Sequence, residues 1–329
     1  MHWIINPSIE EHKDEIKDFL QKVSGDSFFQ TPDYVYLHQL NKDNILTLIG
    51  KKDGEITCYC NILILREKTL YSYLTRRALI IGGPLAINDE DYHQILLKIN
   101  NILKKKVIYL QFRHLNLVSD NRKTILKQNH INYKSHFTII NTIHSEMLND
   151  FNSGRRKNIR RAIKRGVEFR LLDSQKEYEL GGEIITNMYN KLKIPCPSIS
   201  FFKKMQLDSF HKKIHAFGAF YNENLISVRF CLNHKETLYD WYAASLPNHN
   251  KFYPNDYIVF KVMEWAENQN FSHFDFGGAG NMQEDYGVRE FKLKFGGELM
   301  EHGRNEIVYQ KVLYFFGKLG FKILKKLRK

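Results

Sequence analysis

Residues Phe274–Glu298 read FDFGGAGNMQEDYGVREFKLKFGGE and hold six glycines, a cluster of acids and two lysines. A glycine-rich turn of this kind either cradles a nucleotide phosphate or turns the chain sharply beside another reacting group. GxxxxGK[ST] is missing, which excludes a P-loop, and no GxGxxG follows an early strand, so a dinucleotide site is weakly supported. HFDFGG reads as a buried strand ending at Gly277-Gly278, with Asp275 facing away from Phe274 and Phe276 by alternation. The plain role for Asp275 is bonding backbone at the strand end. FKLKFGGE, read as extended, puts Lys292 and Lys294 on one face. They are then either surface lysines or, because a glycine loop precedes them, side chains aimed into a cleft.

Outward from this stretch the elements fall into a regular order. DYIVFKVMEWAENQ predicts a helix. IHAFGAFYNENLISVRFCLNHKETLYDWYAAS predicts three antiparallel strands, turning at Asn222-Glu223-Asn224 and Asn233-His234. Strand alternation sets Tyr239 and Tyr242 on opposite faces. SGRRKNIRRAIKRG predicts a helix in which seven of the eleven residues from Arg155 to Arg165 are basic. Ile159, Ile163 and Val167 form its apolar stripe. So dense a cluster repels itself unless acids or an anionic ligand compensate. Earlier in the chain, Thr31 caps a helix that begins with Pro32. Asp53-Gly54 joins a hairpin, and ALIIGGPLA, DYHQILLKINNILKKK and VIYLQFRHL supply strand, helix and strand. The two halves share this order of helices, meander and helix–strand pair. A boundary falls near residues 145–152, where strand character gives way to the basic helix. At the C-terminus, Val312, Phe316, Leu319, Ile323 and Leu327 recur at helical spacing beside basic residues.

The bulk composition narrows the class. With 329 residues, 43% of them hydrophobic and 13% aromatic, the chain builds a large packed core. A net charge of +13 favours an anionic partner: nucleic acid, phosphorylated substrate or anionic membrane. Cys58, Cys60, Cys196 and Cys231 show no CxxC or Cys/His ligand spacing, which argues against structural zinc and for reduced thiols. No segment has the length and apolarity of a signal peptide or spanning helix, so the expected location is the cytoplasm. HExxH and GxSxG are missing. His38 and Asp43 match an HxxxxD pattern that chance produces easily.

LNDFNSGRRKNIRRAIKRGVEFR, DWYAASLPNHNKFYPNDYIVFKVMEWAENQNFSHFDFGGAG and DYGVREFKLKFGGE together resemble the Fem family of non-ribosomal peptidyltransferases, which are related in fold to GNAT acyltransferases. Phe29-Gln30-Thr31-Pro32 and Gly82-Gly83-Pro84 resemble weaker landmarks of the same family. The resemblance implies an α/β protein of two GNAT-like domains, each a mixed, mainly antiparallel sheet flanked by helices, with a cleft between them. The expected domains span 1–147 and 148–308, and a C-terminal helix at about 309–329 returns to the first. The implied reaction is attack of an amine on an activated ester or thioester, with no dissociable cofactor and no metal.

Lys292 is then the catalytic candidate, stabilising developing negative charge. Tyr242, Arg113, Asp275, Lys294, Arg156 and Arg160 form the substrate-binding set. The expected donor is an aminoacyl-tRNA and the acceptor an amine of a cell-envelope precursor, which a lipid could carry, with the basic C-terminal helix touching the inner face of the membrane. Two departures point elsewhere. YLQFRHLN carries Arg113 where peptidoglycan members often carry Asp before Pro, and IPCPSISFF lacks the usual acceptor-clamping Arg. Both look more like relatives linked to surface polysaccharides. The alternatives are therefore an acyl-CoA- or acyl-carrier-protein-dependent N-acyltransferase acting on an amino sugar, and a non-catalytic nucleic-acid-binding protein. The latter calls for aromatics interleaved with the basic residues, and Arg155–Arg165 contains none.

Overall fold

The computed structural model describes residues 1–66 and 75–326, with side chains described to residue 319. In chain order the elements are β1 (His2–Ile5), α1 (Lys13–Lys22), α2 (Pro32–Leu40), β2 (Asn44–Lys52), β3 (Glu55–Leu65), β4 (Arg77–Ile81), β5 (Leu85–Ala86), α3 (Asp89–Leu103), β6 (Tyr109–Arg113), α4 (Asp120–Gln128) and β7 (Asn132–Lys134). There follow β8 (Phe137–Thr142), α5 (Ser153–Lys164), β9 (Glu168–Leu171), α6 (Gln175–Leu192), α7 (Ile199–Lys204), β10 (Ile214–Tyr221), β11 (Asn224–His234), β12 (Thr237–Ser245), α8 (Pro254–Asn268), β13 (His273–Gly280), α9 (Gly287–Leu293) and β14 (Glu298–Glu301). The chain ends with β15 (Arg304–Val308) and α10 (Lys311–Lys326). Two compact units result: Met1–Ser135 with His302–Lys329, and His136–Glu301.

The first unit is a sheet in the order β1-β2-β3-β4-β6-β15-β7, with β5 beside β3. Among the described residues only β4 and β6 pair in parallel here. Local chemistry explains the turns. Asp53 and Gly54 both have positive φ, so the two-residue loop matches the twist of β2 and β3. The Thr31 hydroxyl accepts the Tyr34 N–H at the start of α2, with Pro32 in the first turn. Leu48, Cys58, Cys60 and Ile62 pack under Ile95, Leu96 and Ile99 of α3, while Ile16 and Phe19 of α1 cover Ile49 and Tyr59.

The second unit is a sheet in the order β14-β8-β13-β12-β11-β10-β9, again with one parallel pair, β12 with β13. α5 and α8 cover one face, burying Ile159, Phe217, Cys231, Ile258, Val262 and Phe274 together. α6 lies against β11 and β12, where Tyr178 and Phe202 meet Phe230. Both units thus run meander, helix, parallel strand.

Several expectations change. The passage between units falls at 135/136 rather than 147/148, because Phe137–Thr142 pairs with β13 of the second sheet. The turn after β11 lies at Lys235-Glu236, since His234 still pairs with Thr237. Ile159 and Ala162 form the buried stripe of α5, and Ile163 is 56% exposed. At the C-terminus, β15 inserts beside β6, and Tyr314 of α10 packs on Tyr109 with ring centroids 5.2 Å apart. Yet Val312, Phe316 and Leu319 of the expected stripe stay exposed, at 67%, 61% and 43%. Leu327 and the side chain of Ile323 lie outside the described residues.

Candidate active site

The parallel pairs of the two units differ in one respect. In the first unit, β4 and β6 pair from Arg77/Tyr109 to Ile81/Arg113, and Gly82 N–H continues the ladder onto the Arg113 carbonyl at 2.8 Å. In the second unit, β12 and β13 pair only from Thr237/His273 to Tyr239/Asp275. Beyond that point they part. A bulge in β12 contributes, because Phe230 faces Tyr242 while Cys231 faces Asp240, leaving Trp241 as the extra residue. In β13 the register against β8 jumps from Asp275/Ile140 to Gly278/Thr138. Gly277 takes φ +69° at this jump, a conformation that side-chain-bearing residues rarely adopt.

Lys292 sits at this jump. Its segment is the helix α9, not the extended strand its alternating Phe291, Leu293 and Phe295 suggest. The Lys292 ammonium donates to the carbonyls of Phe276 at 2.6 Å, Gly278 at 2.9 Å and Gly277 at 3.3 Å. Burial pushes its pKa down to about 8, against the opposing pull of Asp240 and Asp275. The strand end is braced from the other side. Asp275, 2% exposed, accepts the Thr138 hydroxyl at 2.8 Å and the Gly277 N–H at 2.7 Å. These contacts match the backbone-bonding alternative for Asp275 rather than the substrate-binding role the resemblance implies. Nearby, Arg229 and Asp240 form a buried ion pair, and Arg229 also donates to Asn255 Oδ1 at 3.2 Å.

Arg289 escaped the sequence reading. It is buried, and its guanidinium donates to the carbonyls of Asn281 at 2.7 Å and Glu284 at 2.8 Å, clamping the glycine loop. The signal was available: a glycine-rich loop leaves carbonyls without ladder partners, and an Arg nine residues past Gly280 is a natural donor.

The other expected residues divide. Tyr242 and Tyr239 share a face, because their partners Phe230 and Leu232 do. The bulge at Trp241 cancels the alternation that would separate them. Tyr242 packs against Phe202 and Tyr189, at 5.3 and 6.1 Å between ring centroids, in the layer under α6 and α7. Lys294 is the exposed C-cap of α9, and its carbonyl accepts the Asn152 N–H at 2.9 Å. Arg113 belongs to the first unit, at the end of β6, where its Nε donates to Gln111 at 2.9 Å.

Four of the seven basic residues from Arg155 to Arg165 have structural contacts. Arg155 pairs with Asp256 and lies 4.4 Å from the Phe291 ring centroid, and burial raises the Asp256 pKa against these contacts. Arg156 donates to the Asn149 and Phe151 carbonyls, so it holds the turn before α5 and does not project freely. Arg161 and Arg165 lie over the Tyr253 ring. Lys157, Arg160 and Lys164 are exposed with no ion-pair partner among the described residues, and their spacing puts them on one helix face.

The close of the motif, Phe295-Gly296-Gly297, has a steric basis. A Cβ on Gly296 would stand 2.6 Å from Asp150 Cβ and 2.9 Å from its carbonyl oxygen, and Gly296 has φ +80°. A Cβ on Gly297 would stand 2.6 Å from Ile139 Cγ2. Gly296→Ala is therefore expected to cost about 2–4 kcal/mol, combining backbone strain with overpacking. Denaturant titration checks this, and a loss under about 0.5 kcal/mol, the surface-substitution range, would contradict it.

The chemistry available here is that of a cation held by backbone where two parallel strands separate. Such a group is preorganised to meet negative charge that develops in a transition state. Its weakest contact, at 3.3 Å, is the one a substrate oxyanion could replace. Beyond Tyr239, β12 has no ladder with β13, and a strand edge of this kind can take an extended, amide-bearing chain.

The family model "FemAB family" matches residues 205–319. A crystal structure of FemX is similar over 96% of this chain and 99% of its own, with TM-score 0.71 and 16% identity. A tandem GNAT protein from the clavulanic acid biosynthesis pathway aligns over 94% and 99%, with TM-score 0.61 and 7% identity. The C-terminal domain of an assigned lysylphosphatidylglycerol synthetase from Agrobacterium fabrum aligns over 91% and 92%, with TM-score 0.57 and 11% identity. These are likenesses of fold, and they identify the architecture as two GNAT-type units. No curated protein matches the chain in sequence.

Proposed function

We propose that this chain, whose residues 205–319 match the FemAB family model, is an aminoacyltransferase that moves an aminoacyl group from a charged tRNA onto an amine of a cell-envelope precursor. The observation that carries the proposal is Lys292, bound to the Phe276–Gly278 carbonyls where β12 and β13 part. An ester carbonyl entering the gap would find the ammonium ready to stabilise its oxyanion. FemX and a synthetase named for joining lysine to a phosphatidylglycerol share the fold, which favours an aminoacyl group and an envelope acceptor.

A tRNA donor would be held largely through phosphates. Lys157, Arg160 and Lys164 are the exposed cations of α5 that suit this, in place of the Arg156–Arg160 pair suggested by sequence. Neutralising all three should reduce the log–log salt slope of tRNA binding by up to about 2–3, roughly one for each phosphate no longer engaged. An unchanged slope would remove α5 from donor binding.

The acceptor could be carried by a lipid. Val312, Phe315, Phe316 and Leu319 form one exposed stripe of α10, with Lys311 and Lys318 alongside. A helix of this composition can lie in an anionic membrane surface. Among the described residues no helix is long and apolar enough to cross a membrane. The full-length protein should float with anionic liposomes, and Phe315→Ser/Phe316→Ser should not. Equal flotation of both would exclude the stripe as the contact.

A second reading keeps the fold and replaces the donor with an acyl thioester and the acceptor with an amino sugar. The tandem GNAT relative favours it. Charged tRNA and a panel of acyl-CoAs, offered to the same preparation, separate the two readings.

A further inference from the structure

The first unit contains a pocket of about 490 Å³ that the transfer chemistry above does not use. That volume lies within the range of about 300–1,000 Å³ typical of small-molecule sites. It is lined by the Gly82-Gly83 turn after β4, the start of α3 and the loop from His114 to Ser119 that leads into α4.

We propose that this pocket binds a neutral, hydroxyl-rich ligand, a sugar of one or two rings, with His114 Nδ1 as the acceptor that fixes its orientation.

His114 is 8% exposed and lies at the end of β6. Its Nε2 is 2.8 Å from Asn305 Oδ1. An amide oxygen only accepts, so Nε2 carries the ring proton and Nδ1 is left as a bare acceptor. Burial holds the imidazole neutral, with its pKa pushed down to about 4, so Nδ1 stays an acceptor at physiological pH. Among the described residues nothing donates to Nδ1. A neutral acceptor in a pocket calls for a hydroxyl or an amide N–H.

Gly83 keeps this edge of the ring open. It has φ +79°, and a Cβ there would stand 3.3 Å from His114 Nδ1. A side chain at residue 83 would therefore crowd the acceptor.

The charges of the pocket are already matched. Arg122 donates to the Ala86 carbonyl at 2.8 Å, contacts Asp89 at 3.4 Å and lies 4.7 Å from the Tyr92 ring centroid. An anion would have to compete with Asp89 for this guanidinium, which disfavours a phosphate or pyrophosphate. The rest of the lining suits hydroxyls: Ser24 and Ser119 carry hydroxyl groups, and Asn116 spans to the Gly25 carbonyl at 2.9 Å, leaving its amide oxygen for a ligand. Leu117, 70% exposed at the rim, offers an apolar surface for the C–H face of a ring.

The inference stands on the first unit alone, and binding is read with no donor present, so it survives or fails independently of the transfer reaction. Full-length protein is titrated calorimetrically with N-acetylglucosamine, with its β-1,4-linked dimer and with inorganic pyrophosphate. The expected result is saturable binding of at least one sugar with Kd of about 0.1–10 mM, usual for a few hydrogen bonds and one ring contact. Pyrophosphate should not compete. His114→Phe, which keeps an aromatic ring and removes the acceptor, should weaken binding at least tenfold. Ser24→Trp, at an exposed rim position, should block the pocket, and it decides alone if His114→Phe fails to fold. No saturable sugar binding, undiminished binding in the folded variants, or competition by pyrophosphate would each overturn the proposal.

Discussion

Replacing Lys292 with methionine should slow transfer by about 10²–10³-fold, the usual cost of removing one electrostatic stabiliser from an acyl-transfer site. The fall should appear in kcat more than in KM, because the ammonium acts on charge that exists only in the transition state. The pH profile separates this role from simple bracing of the glycine turn. Lys292 must be protonated to stabilise an oxyanion, and burial sets its pKa near about 8. Activity should therefore be full below pH 8 and decline as pH rises through it. Lys292→Arg keeps a charge that does not titrate in this range, so its reduced activity should lack that declining limb. Stability responds in the opposite sense. Between about 8 and 10.5 the unfolded chain still holds the lysine proton and the folded chain has released it, so the wild type should gain stability relative to Lys292→Met across that window. Near-normal turnover in a folded methionine variant would remove Lys292 from the chemistry.

Asp240→Ala is expected to cost about 3–5 kcal/mol, because it leaves the Arg229 guanidinium charged and uncompensated in the core. Arg229 and Asp240 have side chains only 3% and 8% exposed, on adjacent strands β11 and β12. The pair does more than fill space. It stands where the bulge at Trp241 parts β12 from β13, and the Gly277 turn lies alongside, since a Cβ there would be 3.7 Å from the Asp240 carbonyl. Removing both charges together, as Arg229→Met/Asp240→Leu, should recover most of the stability. It should not recover the pH profile. Asp240 raises the Lys292 pKa and Arg229 lowers it, with Asp240 the larger influence, so loss of the pair should move the activity limb below pH 8. Denaturant melts of the single and double variants check the first part, and a single variant within about 0.5 kcal/mol of wild type would contradict it.

Much of this architecture was legible in the residues. The Asp53-Gly54 hairpin, the Thr31-Pro32 helix start and the HFDF strand rest on local chemistry, and the structure keeps them. What escaped depends on distant partners. FKLKF alternates like a strand, but Phe291 of α9 and Phe295 in the turn after it reach Arg155 of α5, a contact no local pattern encodes. A single extra residue at Trp241 reverses every face assignment after it, which is why Tyr239 and Tyr242 end on one side. β15 joins the first sheet from the far end of the chain, as Arg304 pairs with Arg113. The candidate lysine was readable from the motif, whereas its three carbonyl partners depend on the Gly277 turn that only the fold supplies.

The most direct measurement is donor binding by the purified full-length protein, with aminoacyl-tRNA and acyl-CoA compared across a salt series. A tRNA held through phosphates should bind saturably, with an affinity that falls steeply as salt rises. An acyl-CoA presents few phosphates and should show no comparable binding. Saturable binding of an acyl-CoA, with no measurable binding of charged tRNA, would contradict the aminoacyltransferase reading and leave the N-acyltransferase in its place.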